Sequence, residues 1–243
     1  MALSSFLKPK NTYSLERVGK NNDGGYLVGS NSINDAQFLI SLGISDDWSF
    51  EKKFLSLNKG IKVFCFDDQI SIKFLIKKVI YNLFLFFFKF RFKPLLFSII
   101  NILDFIIISK KITFKKQKIN YGDLKNITKD LDKIFLKIDI EGSEYRIIED
   151  ILEIKNKIVG LVIEFHDIDL HMDKIEQFIS AIRLELIHLH PNNYCKLDKI
   201  DNPTTIEISF DKRPLITKDL TTIPHELDQK CNPNGPDIDI NFI

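Results

Sequence analysis

Short apolar runs that stop at glycine or an acid, most of them followed by residues of helical spacing, recur along this chain and leave few architectures open to it. The run 37–43 ends at Gly43, and Phe50, Phe54 and Leu57 follow at helical spacing. The run 61–66 ends on Asp67-Asp68. Residues 133–140 make a β-branched strand that turns at Glu141-Gly142 into a helix with Tyr145, Ile148, Ile151 and Leu152 on one face. The run 161–166 precedes an amphipathic helix at 172–184, a strand at 186–190 stops before Pro191, and 204–210 alternates as a late strand. Strands alternating with helices at this rhythm predict an α/β fold with a mainly parallel sheet and right-handed crossovers.

Two segments stand outside that rhythm. Residues 13–30 read as a β-hairpin, turning where Asn21-Asn22-Asp23-Gly24-Gly25 supplies positive φ. Residues 70–111 hold nine of the 21 phenylalanines, punctuated by lysine, and predict two or three helices. Lys89, Arg91, Lys93 and Asp104 interrupt the apolar runs there, so neither reaches the ~18–20 residues of a membrane span. The tail from Ile223, rich in Pro, Asn and Asp, predicts no helix. With no repeat and no linker, the chain 1–243 reads as one domain carrying a helical insertion.

The formal charge of +1, from 34 basic and 33 acidic residues, argues against a nucleic-acid-coating protein, but it is a cancellation. Residues 70–120, the insertion and the stretch after it, hold 11 basic side chains and one acid, leaving 23 and 32 elsewhere, so +10 sits in that segment and −9 in the rest of the chain. The insertion reads as a helical cap with its phenylalanines packed inward. A substrate lid, or peripheral contact with anionic membrane through residues 70–118, is the alternative. Three distant cysteines, Cys65, Cys195 and Cys231, form no zinc-type spacing, and the first residues lack the ~7–15-residue apolar run of a secretory signal; the expectation is a reducing, cytoplasmic setting.

In open α/β sheets ligands bind beyond the carboxyl ends of the strands, and the polar residues of this chain gather there. Gly43-Ile44-Ser45-Asp46-Asp47 follows one strand and Asp67 ends the next, 24 residues after Gly43, a spacing that suits a nucleoside, although GxGxxG is absent. Asp139 and Glu141 flank Ile140, and period-two spacing puts both carboxylates on one strand face; they suit general-base or cation-binding work, with helix capping as the alternative. Glu164 with His166, and His188 with His190, repeat the pairing, and Asn192-Asn193 after Pro191 reads as ligand-orienting or as a turn. A metal-dependent hydrolase using Asp139, Glu164, His166, His188 and His190 fits these residues, as does a non-catalytic ligand-binding module.

Lys137-Ile138-Asp139-Ile140-Glu141-Gly142-Ser143-Glu144-Tyr145 resembles the KIDVEG-type signature of FkbM-like methyltransferases. The similarity takes in Asp23-Gly24-Gly25-Tyr26, the Gly43 turn with Phe50-Glu51, Phe66-Asp67, Glu164-Phe165-His166, His190-Pro191-Asn192-Asn193 and the tail around Leu227-Asp228. The resemblance implies a Rossmann-like class I fold with a seven-stranded sheet, S-adenosylmethionine as cofactor, and O-methylation of a hydroxyl on a sugar, glycan or secondary metabolite. It places Gly43, Ser45 and Asp23 along the cofactor and Asp67 on its ribose. Asp139 and Glu141 would face the transferred methyl, His166 or Asp139 would act as base with Glu141 and Glu164 orienting, and His190 and Asn193 would contact substrate. No metal is predicted, although a divalent cation is compatible with these residues. The departure from the family lies in the first loop, where one glycine and two acids replace a glycine-rich DxGxxxG pattern.

Overall fold

The computed structural model describes residues 2–90, 92–199, 201–218 and 223–243. Its elements are β1 (Ala2–Leu3), β2 (Leu15–Val18), β3 (Tyr26–Gly29), α1 (Ser30–Asp35), β4 (Phe38–Leu42), α2 (Ser49–Leu57) and β5 (Lys62–Asp67). Next come α3 (Ile72–Lys89), α4 (Phe92–Ile108), β6 (Ile112–Lys116), α5 (Asp123–Ile127) and β7 (Ile134–Ile138). The chain ends with α6 (Ile148–Ile154), β8 (Ile158–Phe165), α7 (Ile168–Ile182), β9 (Glu185–Pro191), β10 (Ile206–Asp211) and β11 (Asn241–Phe242).

Seven strands form one sheet in the order β6-β5-β4-β7-β8-β10-β9. It is mainly parallel, as expected, with β10 antiparallel to both β8 and β9. From β4 the chain winds outward through β5 to β6, then returns across the sheet to place β7 on the other side of β4. That reversal makes the β4/β7 boundary the switch point at which a crevice opens. The alternation of β7 divides the core: Ile134, Leu136 and Ile138 pack with α6 and α7, while Phe135 packs with Phe50 and Phe54 of α2. Lys137 and Asp139 follow Phe135 at a spacing of two, on the side covered by α2 and the antiparallel β2–β3 hairpin.

Strand β6 falls within the lysine-rich segment and was not among the expected strands; only Ile112 of its five residues is buried. The helix expected after Gly142 is a 3₁₀ turn at Glu144–Arg146 followed by α6. In the insertion, Ser71 caps α3 by accepting from the Phe74 N–H at 3.2 Å. Phe90 ends that helix at φ +50°, and Pro94 sits in the first turn of α4, where its missing N–H leaves no bond unmade. Contrary to the inward-packed cap expected from sequence, most of the phenylalanines on these two helices are exposed. Among the described residues no helix is long and apolar enough to cross a membrane.

Candidate active site

A cavity of about 820 Å³ opens over the carboxyl ends of β4, β5, β7 and β8, at the switch point the topology creates. Nine carboxylates line it, those of Asp23, Asp46, Asp47, Glu51, Asp67, Asp68, Asp139, Glu141 and Glu164, against Lys20, Lys118 and Lys137.

The first loop is built on Gly43, which adopts φ +72°. A Cβ there would overlap the Asp139 carbonyl oxygen, so the glycine is required by the close approach of two strand ends. Gly43 N–H donates to Phe66 O, and Asp139 N–H donates to Leu42 O, stitching β4 to both neighbours just where the strands stop. Asp67 completes the loop. One carboxylate oxygen accepts from Ile44 N–H and Ser45 N–H at 3.1 and 2.8 Å, the other from Gln69 N–H and Ile70 N–H at 2.7 and 3.0 Å. Four backbone donors fill the sites a carboxylate offers, so Asp67 works as a clasp between the β4 and β5 loops. The two acids of the loop are neutralised from outside the sheet. Asp46 pairs with Lys78 of α3 and its carbonyl accepts from Asn101 of α4; Asp47 pairs with Lys20 at 2.7 Å and caps α2 through Ser49 N–H.

The other half of the cavity is a network of buried charge. Lys137, nearly buried, donates to Gly43 O at 2.6 Å and lies 3.5 Å from Asp139 Oδ2. Burial alone would depress its pKa, but Asp139, Glu51 and Glu164 together raise it. Tyr26, carried in from the hairpin, places its hydroxyl 3.1 Å from Asp139 Oδ2 and 3.2 Å from Glu164 Oε2. A phenol has one proton to give. Burial, with the charges of Asp139 and Glu207, pushes the Glu164 carboxyl pKa up. Asn192 Nδ2 donates to the remaining Glu164 oxygen at 2.8 Å.

His166 is held by Glu144, whose buried Oε1 lies 3.1 Å from Nδ1 and also accepts from Ile140 N–H and Gly142 N–H. Nε2 faces Glu141 at 3.5 Å and Glu164 at 3.8 Å. Burial lowers the His166 pKa, but the Glu144 hydrogen bond and charge, followed by Glu164, carry it above the usual histidine range. Strand alternation stops at Ile138, and Glu141 lies in a left-handed turn at φ +53° with an exposed side chain; it reaches His166 by the turn rather than by a shared strand face. Ligand atoms of Asp139, Glu141 and His166 still lie within 4.8 Å of one another, a set able to hold a cation.

Gly43, Ser45, Asp67, Asp23, Asp139, Glu141, Glu164 and His166 thus all line one cavity. Asp23, at the exposed rim, has its carboxyl pKa raised, chiefly by desolvation from the surrounding chain. His190 and Asn193 do not line it; Asn192 does. Asn193 donates to Asn232 O and Pro236 O, pinning the tail. His190 is buried beside Glu207 at 3.4 Å, Asp237 at 3.6 Å and Cys231 at 3.9 Å. Against the opposing pull of burial, Asp237, Cys231 and Glu207 push its pKa up to about 12. His188 likewise meets Asp228 of the tail at 3.0 Å, and holds that carboxyl below the usual range. Glu207 was not among the residues singled out by sequence, and Tyr26, Glu51, Lys137 and Glu144 only as part of the resemblance. One signal was present: a lysine inside a strand otherwise fully apolar needs carboxylates near it.

No family model matches the chain, and no curated protein matches it. Solved structures resemble it at low identity. A fibrillarin pre-rRNA processing protein from Methanococcus jannaschii has 10% identity over 74% of this chain and 68% of its own, with a TM-score of 0.42. A human methyltransferase 10 domain containing protein has 11% identity over 73% and 72%, with a TM-score of 0.42. A precorrin-6y C5,15-methyltransferase from Geobacter metallireducens has 11% over 75% and 84%, with a TM-score of 0.38. The functional reading rests on the residues of this chain.

Proposed function

We propose that this chain is an S-adenosylmethionine-dependent methyltransferase of the FkbM-like kind, acting on a hydroxyl of a small molecule or glycan. The acid-lined cavity at the switch point carries the reading. Acids outnumber lysines in the lining, which disfavours a nucleotide polyphosphate and suits a cofactor bearing a sulfonium and an ammonium. The volume, about 820 Å³, falls in the ~300–1,000 Å³ range of small-molecule and cofactor sites. The signature at residues 137–145 supports the same class.

The residues fit the cofactor in two parts. Phe66, Gln69, Gln117 and Ile119, over the ends of β5 and β6, would take the nucleoside. The loop 43–47, ordered by Asp67, would hold the amino-acid end beside Asp23 and Asp139. The bound cofactor supplies an electrophilic methyl group. What the chain must supply is a hydroxyl oriented toward that methyl and a place for its proton. His166 is the base in this account: Glu144 fixes Nδ1 and leaves Nε2 facing the cavity. Because its pKa is raised, His166 is protonated at neutral pH, and the rate should climb as pH rises beyond the usual histidine range.

The test is a screen of hydroxyl acceptors with the cofactor, reading demethylated cofactor and methylated product by mass spectrometry. Turnover lost ~10²–10⁴-fold in His166→Gln with cofactor binding intact is expected. Unchanged turnover in that variant would remove His166 from the mechanism, and retained binding without turnover on any acceptor would favour a ligand-binding module.

A further inference from the structure

We propose that the α3–α4 hairpin docks on an anionic lipid surface. Its apolar side chains are presented outward in continuous stripes. On α3 every fourth residue from Ile72 to Phe88 is exposed: Ile72, Ile76, Ile80, Phe84 and Phe88. A matching stripe runs from Phe92 to Ile107 on α4, while Leu75, Asn82, Leu95, Ser98 and Phe105 are buried. Apolar exposure in the hairpin is highest at the C-terminal end of α3 and just past it, with Phe87 at 66%, Phe88 at 70% and Phe90 at 87%. Soluble monomers rarely leave so large a contiguous apolar surface uncovered.

Charge decides the occupant. Lys73, Lys77, Lys89 and Lys93 are exposed among these apolar residues, and Lys110, Lys111, Lys115, Lys116 and Lys118 continue the basic surface toward β6 and the cavity mouth. Among the described residues of the segment, Lys78 alone pairs with an acid, and the segment's one carboxylate, Asp104, is already taken by Trp48 Nε1 and Lys52. A second copy would bring two like-charged hairpins together. An anionic membrane instead offers acyl chains to the phenylalanines and headgroups to the lysines, the pairing that interfacial helices use. At 18 and 17 residues and ~1.5 Å per residue the helices suit lying along the interface. Asp46 of the first cavity loop is held by Lys78 and Asn101, and Trp48 by Asp104, so a docked hairpin would present the cavity at the lipid surface.

Flotation of the full chain with vesicles of phosphatidylcholine alone, or with about one-third phosphatidylglycerol, tests this. Binding to the anionic vesicles only is expected, with most of it released at about 0.5 M salt. Lys73, Lys77, Lys89 and Lys93 changed together to Gln should weaken binding by more than a hundredfold, about fivefold per charge. Phe87, Phe88 and Phe90 changed together to Ser should abolish it, with circular dichroism and melting unchanged as the control for folding. Equal binding to neutral vesicles, binding to neither, or a solution dimer that these Ser variants dissociate would each overturn the proposal.

Discussion

The carboxylate-lined edge of the sheet and the lysine-rich α3–α4 hairpin carry opposite charge, and they differ more in how that charge is partnered than in its sign. At the edge, Asp67 is filled by four backbone N–H groups, Asp139 by Tyr26 and Lys137, Glu144 by two N–H groups and His166. On the hairpin, lysines and phenylalanines project into solvent. Groups locked into a network hold a geometry and can do chemistry; groups left free are available to a surface.

Substitutions at the edge should therefore be costly and those on the hairpin nearly silent. Gly43→Ala is the most damaging: a positive φ combined with overlap on Asp139 O should cost more than about 4 kcal/mol, or prevent folding, as read by denaturant melts. Lys137→Met strands Asp139 and Glu51 in a buried site and should cost about 3–5 kcal/mol. Tyr26→Phe removes the hydroxyl joining Asp139 to Glu164 and should cost about 1–3 kcal/mol. Phe88→Ser, in the hairpin, should change stability by no more than about 0.5 kcal/mol. A loss there comparable with that of Tyr26→Phe would break the contrast between the two regions.

The pH dependence sharpens it further. His190 has its folded-state pKa raised to about 12 from 6.5, so its contribution is complete below pH 6.5 and is lost as pH rises toward 12. Melts should lose stability steadily between pH 7 and 10, and His190→Gln should flatten that slope. The raised His166 pKa works in the same direction for stability and in the opposite direction for rate, because the base form appears only as pH rises. Glu144→Gln removes the charge that holds the proton on His166, and the acid limb of the rate profile should move to lower pH.

Much of this was written in the sequence at the level of strands and their ends. Apolar runs closed by Gly43, Asp67, Asp139 and His166 could be placed because burial and alternation are local properties. The pairing of His166 with Glu144 and Glu141 could not, because it depends on a left-handed turn at Glu141-Gly142 that ends the period-two pattern. Tyr26 reaches Asp139 over a separation of 113 residues by way of hairpin packing, which no local pattern records. His190 and Asn193 lie away from the cavity for a related reason: the tail folds back over β9 and takes up both side chains. The insertion misled by composition, since phenylalanine usually signals a core, and its exposure follows from two helices with little body to cover them.

Titration calorimetry with S-adenosylmethionine and its demethylated product tests the central claim most directly. The acid-lined cavity predicts micromolar binding of both, with the cationic cofactor weakened when Asp139 is changed to Asn. No heat from either ligand at high protein concentration would contradict the account.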